Sequence, residues 1–271
     1  MPRGSLAALA LALVAGPLAL TSAGLPAPAA AVTLRATLQP ETLGASTTVS
    51  IGFQIATSSE PEAPPLSSFT VSLPAGMGFA GSTLGLATCS EQTILAGGAG
   101  ACPRESAMGF GSAQVQAPFG SQAVRETGRV SIFMTQPVDR RTTMLFYFDG
   151  REPVIAPLVM QTEILTPENS FDSVLSTEIP PIPTAPGGAS VSILSLRADI
   201  GPRHVWYLER VHGRTVAYHP KGLNVPETCP RGGFVFTGEF RFQDGSSATG
   251  RSVVPCPPRG ARNRKLAGRG A

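Results

Sequence analysis

The chain has 271 residues, of which 42% are hydrophobic and 14% charged, and a formal net charge of +3. Gly (30) and Pro (26) make up about a fifth of it, below the range of low-complexity chains, so a folded protein with one large core or two small ones is expected. Neither the charge nor the composition points to nucleic acid.

Arg3 precedes an apolar run from Leu6 to Leu20, interrupted by Gly16 and Pro17. The run is too short for a membrane span but suits an export signal. Ala27-Pro28-Ala29 and Ala29-Ala30-Ala31 offer small-residue cleavage sites. Residues 1–31 are therefore expected to be a signal peptide cut near Ala29 to Ala31, leaving a secreted or cell-envelope protein. No later segment reaches the length of a transmembrane helix.

From Val32 onward, apolar and polar residues alternate. Val32, Leu34, Ala36 and Leu38 are followed by Val49, Ile51, Phe53 and Ile55, then by Phe69, Val71 and Leu73. Each set reads as a half-buried strand. Ser112 to Gln116 and Val130 to Met134 continue the series, with Gly109 and Gly111 permitting a bulge or tight entry. Met144 to Phe148 is an unbroken apolar run, as in a strand covered on both faces. Further strands are expected over 154–165, split near Pro157, then over 171–179, 189–199, 204–211 and 214–218. Near the end, Phe234, Phe236, Phe240 and Phe242 share one face of a hairpin turning at Asp244-Gly245. A two-residue turn there sets Gln243 opposite Ser246 and Phe236 opposite Val253. One short helix is expected near 90–97, capped by Ser90 and ended by Gly97-Gly98.

The four cysteines lie in two local pairs. Export favours disulfides, and Cys89 with Cys102 and Cys229 with Cys256 each bracket one compact unit. The second pairing requires Pro230 to Gly233 to curl back, because bridged Cα atoms must lie within about 7 Å. In the loop-entropy model each bridge contributes on the order of 3–4 kcal/mol. The expected fold is all-β, an immunoglobulin-like β-sandwich in two packed halves, 32–120 and 121–258, dividing near Pro118 to Ala123.

Residues 259–271 form a basic tail with Arg259, Arg262, Arg264, Lys265 and Arg269 and no acid. Without it and Arg3, the body keeps 15 basic residues against 18 acidic ones. A disordered tail is expected, with contact to an anionic surface as its sharpest role.

Catalytic patterns are missing: there is no Gly-x-Ser-x-Gly, Ser-x-x-Lys, His-Glu-x-x-His, P-loop or dinucleotide fingerprint. Cysteines used as bridges leave no thiol nucleophile. His204, His212 and His219 cluster in sequence, but no further ligand completes a zinc site, so neither metal nor cofactor is expected. Asp149 with Glu152 and Asp172 with Glu178 are acid pairs near strand ends, with nothing that makes a glycosidase pair of them. Asp244-Gly245-Ser246 is explained by turn chemistry rather than calcium. Trp206, Tyr207 and Tyr218 could stack on sugar rings, although Trp206 shares a face with Leu208 and is expected to be partly buried.

Leu73-Pro74-Ala75-Gly76-Met77, Cys89, Cys102-Pro103, Ser106 and Gly109 resemble a recurring pattern in uncharacterised secreted β-rich proteins of actinobacteria. Cys229-Pro230-Arg231-Gly232-Gly233-Phe234 and Pro255-Cys256-Pro257 are similar to short members of that group. The resemblance implies origin and export and carries no activity. The functional expectation is a non-enzymatic module, structural or adhesive, whose partner is an envelope polymer, a glycan or another extracellular protein. The alternatives are a carbohydrate-binding module using Trp206 to Tyr218, and an extracellular hydrolase.

Overall fold

The computed structural model describes residues 30–56, 63–79, 87–119, 122–150, 156–166, 173–182, 190–201, 206–219 and 222–257. Residues 1–29 of the expected signal peptide, the basic tail, His204, Glu152, Asp172, and residues 60–62 and 183–188 of the Pro-rich stretches lie outside them, whereas Ala30 is buried and Ala31 opens the first strand.

Alternation is the rule that builds the structure. In β1 (Ala31–Gln39), Leu34, Ala36 and Leu38 are buried while Arg35 and Thr37 are exposed. In β2 (Ser46–Ala56), Val49, Ile51, Phe53 and Ile55 are buried. β3 (Leu66–Ser72) and the two-residue β4 (Gly78–Phe79) follow. The short helix α1 (Glu91–Gly97) forms where expected. Ser90 accepts a hydrogen bond from the Thr93 amide at 3.1 Å, and the Gly98 amide closes the last turn on Ile94.

β5 (Ala107–Phe119) and β6 (Gln122–Met134) make one long hairpin. β7 (Thr142–Gly150), β8 (Ala156–Leu165), β9 (Val174–Glu178) and β10 (Ser192–Ile200) complete the middle of the chain. β8 includes Pro157, which pairs with Asp149, while 154–155, on the far side of the expected split, lie outside the described residues. β9 pairs only with residues 161–165 of β8, so proline's missing N–H falls where no β9 partner stands. β11 (Tyr207–Val211) and β12 (Arg214–Tyr218) form a separate ribbon. β13 (Leu223–Asn224), β14 (Phe234–Phe242) and β15 (Ser247–Val254) end the fold.

Thirteen strands join one antiparallel sheet in the order β15-β14-β3-β9-β8-β7-β6-β5-β10-β2-β13-β4, with β1 also on β2. Strands from both sides of the expected division near Pro118 to Ala123 belong to this sheet. Pro118 pairs with Ala123 within the β5–β6 hairpin, and strands from either side of it interleave: β3 lies between β14 and β9, and β10 between β5 and β2. One core serves them all. Phe53 of β2 meets Phe69 of β3 and Phe240 of β14, with ring centroids 5.2 and 5.0 Å apart, so distant parts of the sheet face each other. The Ala36 amide donates to Ser252 Oγ at 2.9 Å, which brings β1 against β15. The inner face of β15 is small for this reason: a Cβ on Gly250 would stand 2.9 Å from the Leu34 Cβ.

The apolar run of β7 is covered on both sides, as its composition predicts. Met144, Phe146 and Phe148 enter the main core, while Tyr147 packs with Phe133, Ile94, Cys89 and Cys102 beneath α1. Both disulfides form as expected, Cys89–Cys102 and Cys229–Cys256, with Cα atoms 5.3 and 5.8 Å apart. Gly232 and Gly233, both at positive φ, let 230–233 curl back, and the Gly233 amide donates to the Pro230 carbonyl.

The C-terminal hairpin differs from expectation by one residue. Phe234 pairs with Val254 and Phe236 with Ser252, because the loop has three residues, 243–245, rather than two. The Phe242 amide donates to the Ser246 carbonyl, Gly245 takes φ 84°, and Asp244 Oδ1 accepts from the Ser246 amide at 2.8 Å. Val254 consequently points inward and Val253 outward.

Candidate functional site

The same alternation that fills the core lays a polar surface over β1, β2, β10 and β5. Arg35 pairs in register with Gly52, Gly52 with Arg197, and Arg197 with Ser112. Partners directly across a ladder share a face, so these four residues form one row on the outside of the sheet. Gly52 has no side chain to fill the row. A groove of about 430 Å³ opens over it, flanked by Arg35 and Arg197 and edged by Ser50, Gln54, Ser112 and Ser195.

Glycine also has a packing role here. A Cβ at position 52 would lie 3.0 Å from the Leu196 carbonyl oxygen and 3.6 Å from the Arg197 Cβ. Gly109 and Gly111 of β5 are more tightly constrained, because a Cβ on either would fall on the carbonyl oxygens of Asp199 and Arg197. These glycines bring β5 close to β10 and fix the position of Arg197.

Arg197 is a presented cation. Its side chain is 67% exposed, and its Nε lies 3.6 Å from Asp199 Oδ1, a buried carboxylate oxygen with no hydrogen-bond partner among the described residues. Asp199 thus sets a counter-charge beside the base of the guanidinium without hydrogen-bonding it, and most of the arginine side chain faces solvent. A guanidinium offers five donors in a fixed fork that matches carboxylate, sulfate or phosphate. Two such forks with hydroxyls and an amide around them can grip an acidic sugar by its charge and its ring hydroxyls.

The ribbon β11–β12 carries the aromatic residues expected to bind sugars. Tyr207 and Tyr218 occupy paired positions, and His212-Gly213 makes the turn at φ 49° and 77°. Trp206 is 61% exposed, as is Leu208. The expected partial burial of Trp206 is overturned: among the described residues, no other strand pairs with the ribbon. Burial, and then the Glu209 carboxylate, push the Tyr218 phenol above its ordinary pKa of 10.0. His212 at the turn and His219 beyond Tyr218 stand at opposite ends of β12. Among the described residues, no group of three or more His, Cys, Asp or Glu side chains could hold a metal ion.

Sequence reasoning missed Arg35, Gly52 and Arg197. The available signal was a glycine at an outward position of a strongly alternating strand, a place where the fold or a ligand approaches the backbone closely. Compared with family models, with curated proteins and with solved structures, the chain matches none of them.

Proposed function

We propose that the protein is a secreted or cell-envelope-associated, non-enzymatic module, structural or adhesive, that holds an acidic surface glycan in the groove over Gly52. The observation that carries this reading is the pairing of two exposed arginines across a strand position left empty by glycine. Export through residues 1–31 and bridged cysteines fit work outside the cytoplasm. The accompanying fold reading is a sandwich of immunoglobulin-like character, supported by the contacts of Phe53 with Phe69 and Phe240 across the core.

Titration calorimetry of the oxidised full chain with a tetrasaccharide of alternating glucuronate and N-acetylglucosamine tests the site. Binding should weaken with salt and fall at least tenfold in Gly52→Thr, which fills the groove without changing charge, while Arg251→Gln on β15 leaves it unchanged. Undiminished binding by Gly52→Thr, or no binding by the native protein, sinks the proposal.

A second reading has its own observation in the exposed Trp206, which offers a stacking face for a neutral sugar. A glycan array on which Trp206→Ala loses binding and Gly52→Thr does not would favour it.

A further inference from the structure

The groove lies on a longer feature. In register, Ser112 pairs on with Arg129 of β6, and Arg129 with Asp149 of β7. The transverse row therefore runs Arg35, Gly52, Arg197, Ser112, Arg129, with an exposed arginine on every second strand and only glycine or serine between. Neighbouring strands are about 4.8 Å apart, so the guanidinium stems repeat about every 9.5 Å and the row spans about 19 Å. Asp149 ends it with the opposite charge. One position off the row, Phe110 pairs with Asp199 and Ser131, which places it diagonally between Arg197 and Arg129. It is 42% exposed on the outer face.

We infer that the ligand is a linear polysaccharide in which acidic and neutral sugars alternate, lying across the strands rather than along them. Its acid groups meet Arg35, Arg197 and Arg129 in turn, and the neutral ring between the last two rests on Phe110. Length and spacing set the specificity: three acid groups, six sugars, are fully engaged, and Asp149 gives a longer chain nothing to gain. This inference rests on the groove reading above.

The test compares tetra- and hexasaccharides of alternating glucuronate and N-acetylglucosamine on the oxidised full chain. One added exposed ion pair predicts a gain of roughly two- to fivefold from four sugars to six. Arg129→Gln and Phe110→Ser should each abolish that gain, while Arg129→Gln leaves tetrasaccharide affinity within about twofold. The slope of log affinity against log salt for the hexasaccharide should fall by roughly one in Arg129→Gln. If the native protein binds both lengths equally and Gly52→Thr still abolishes binding, the row is refuted and the groove stands. If Arg129→Gln lowers both lengths alike, the row is also refuted. If neither length binds, both readings fail together.

Discussion

The register of the β14–β15 hairpin can be tested with two adjacent valines. A two-residue turn at Asp244-Gly245 would place Val253 opposite Phe236 on the buried face, whereas the three-residue loop in the structure places Val254 there, opposite Phe234. Val254 is 3% exposed and Val253 is 39% exposed. Val254→Ala removes two buried methyl groups, worth about 1.6 kcal/mol at about 0.8 kcal/mol each. Partial collapse of the space left behind adds a smaller term, for a total of about 2 kcal/mol. Val253→Ala removes methyl groups that are partly in water and costs less than about 1 kcal/mol. For a chain of this size the first variant should melt about 4–8 °C lower and the second within about 3 °C of the native protein. Urea unfolding of the oxidised protein should show a lowered midpoint for Val254→Ala at an unchanged slope. A larger loss from Val253→Ala than from Val254→Ala would refute the register and, with it, the role assigned to the loop at 243–245.

Gly111→Ala should cost at least about 3 kcal/mol or prevent folding, because its Cβ would fall on the Arg197 carbonyl and force β5 from β10; a normal urea midpoint would contradict that contact. Trp206 is the only tryptophan, so native fluorescence should already be quenched readily by acrylamide and should change little on unfolding; protection from the quencher would show the ribbon covered. Glu209→Gln should lower the Tyr218 phenol pKa toward its ordinary 10.0, because a neutral neighbour no longer opposes the phenolate; ultraviolet absorbance titration reads the shift, and an unmoved value would remove Glu209 as a cause.

What could be read from the sequence is what local chemistry decides. The helix at Glu91–Gly97 was legible because its cap, Ser90, and its stop, Gly98, are set within one turn of the chain. The strands were legible because a period of two is local as well. Strand order was not. β3 sits between β14 and β9, and β10 between β5 and β2, through ladders that join residues more than a hundred positions apart for some pairs. Such pairings depend on which apolar faces complement each other across the core, and no single segment carries that information. The hairpin lies between these cases. Its existence was readable, but Asp-Gly serves both two- and three-residue loops, and the choice rests on the Asp244 carboxylate capping the Ser246 amide.

Trp206 and Arg35 illustrate the same limit from opposite directions. Alternation puts Trp206 on the face of Leu208, but whether a face is buried depends on a neighbouring element, and among the described residues no strand pairs with the ribbon to cover it. Arg35 is unremarkable in its own strand, as are Arg197 and Arg129 in theirs. They become a candidate site only when four ladders set them level, two strands apart, with Gly52 and Ser112 between. Because the spacing comes from the sheet and not from the chain, an insertion of one residue in β2 or β5 would move the arginines out of line while leaving composition and charge untouched. Recognition by such a row is therefore a property of register. Moving the charge two residues along the strand to the next outward position, as in Arg197→Ser with Ser195→Arg, keeps net charge and strand pattern and should still lose the hexasaccharide advantage.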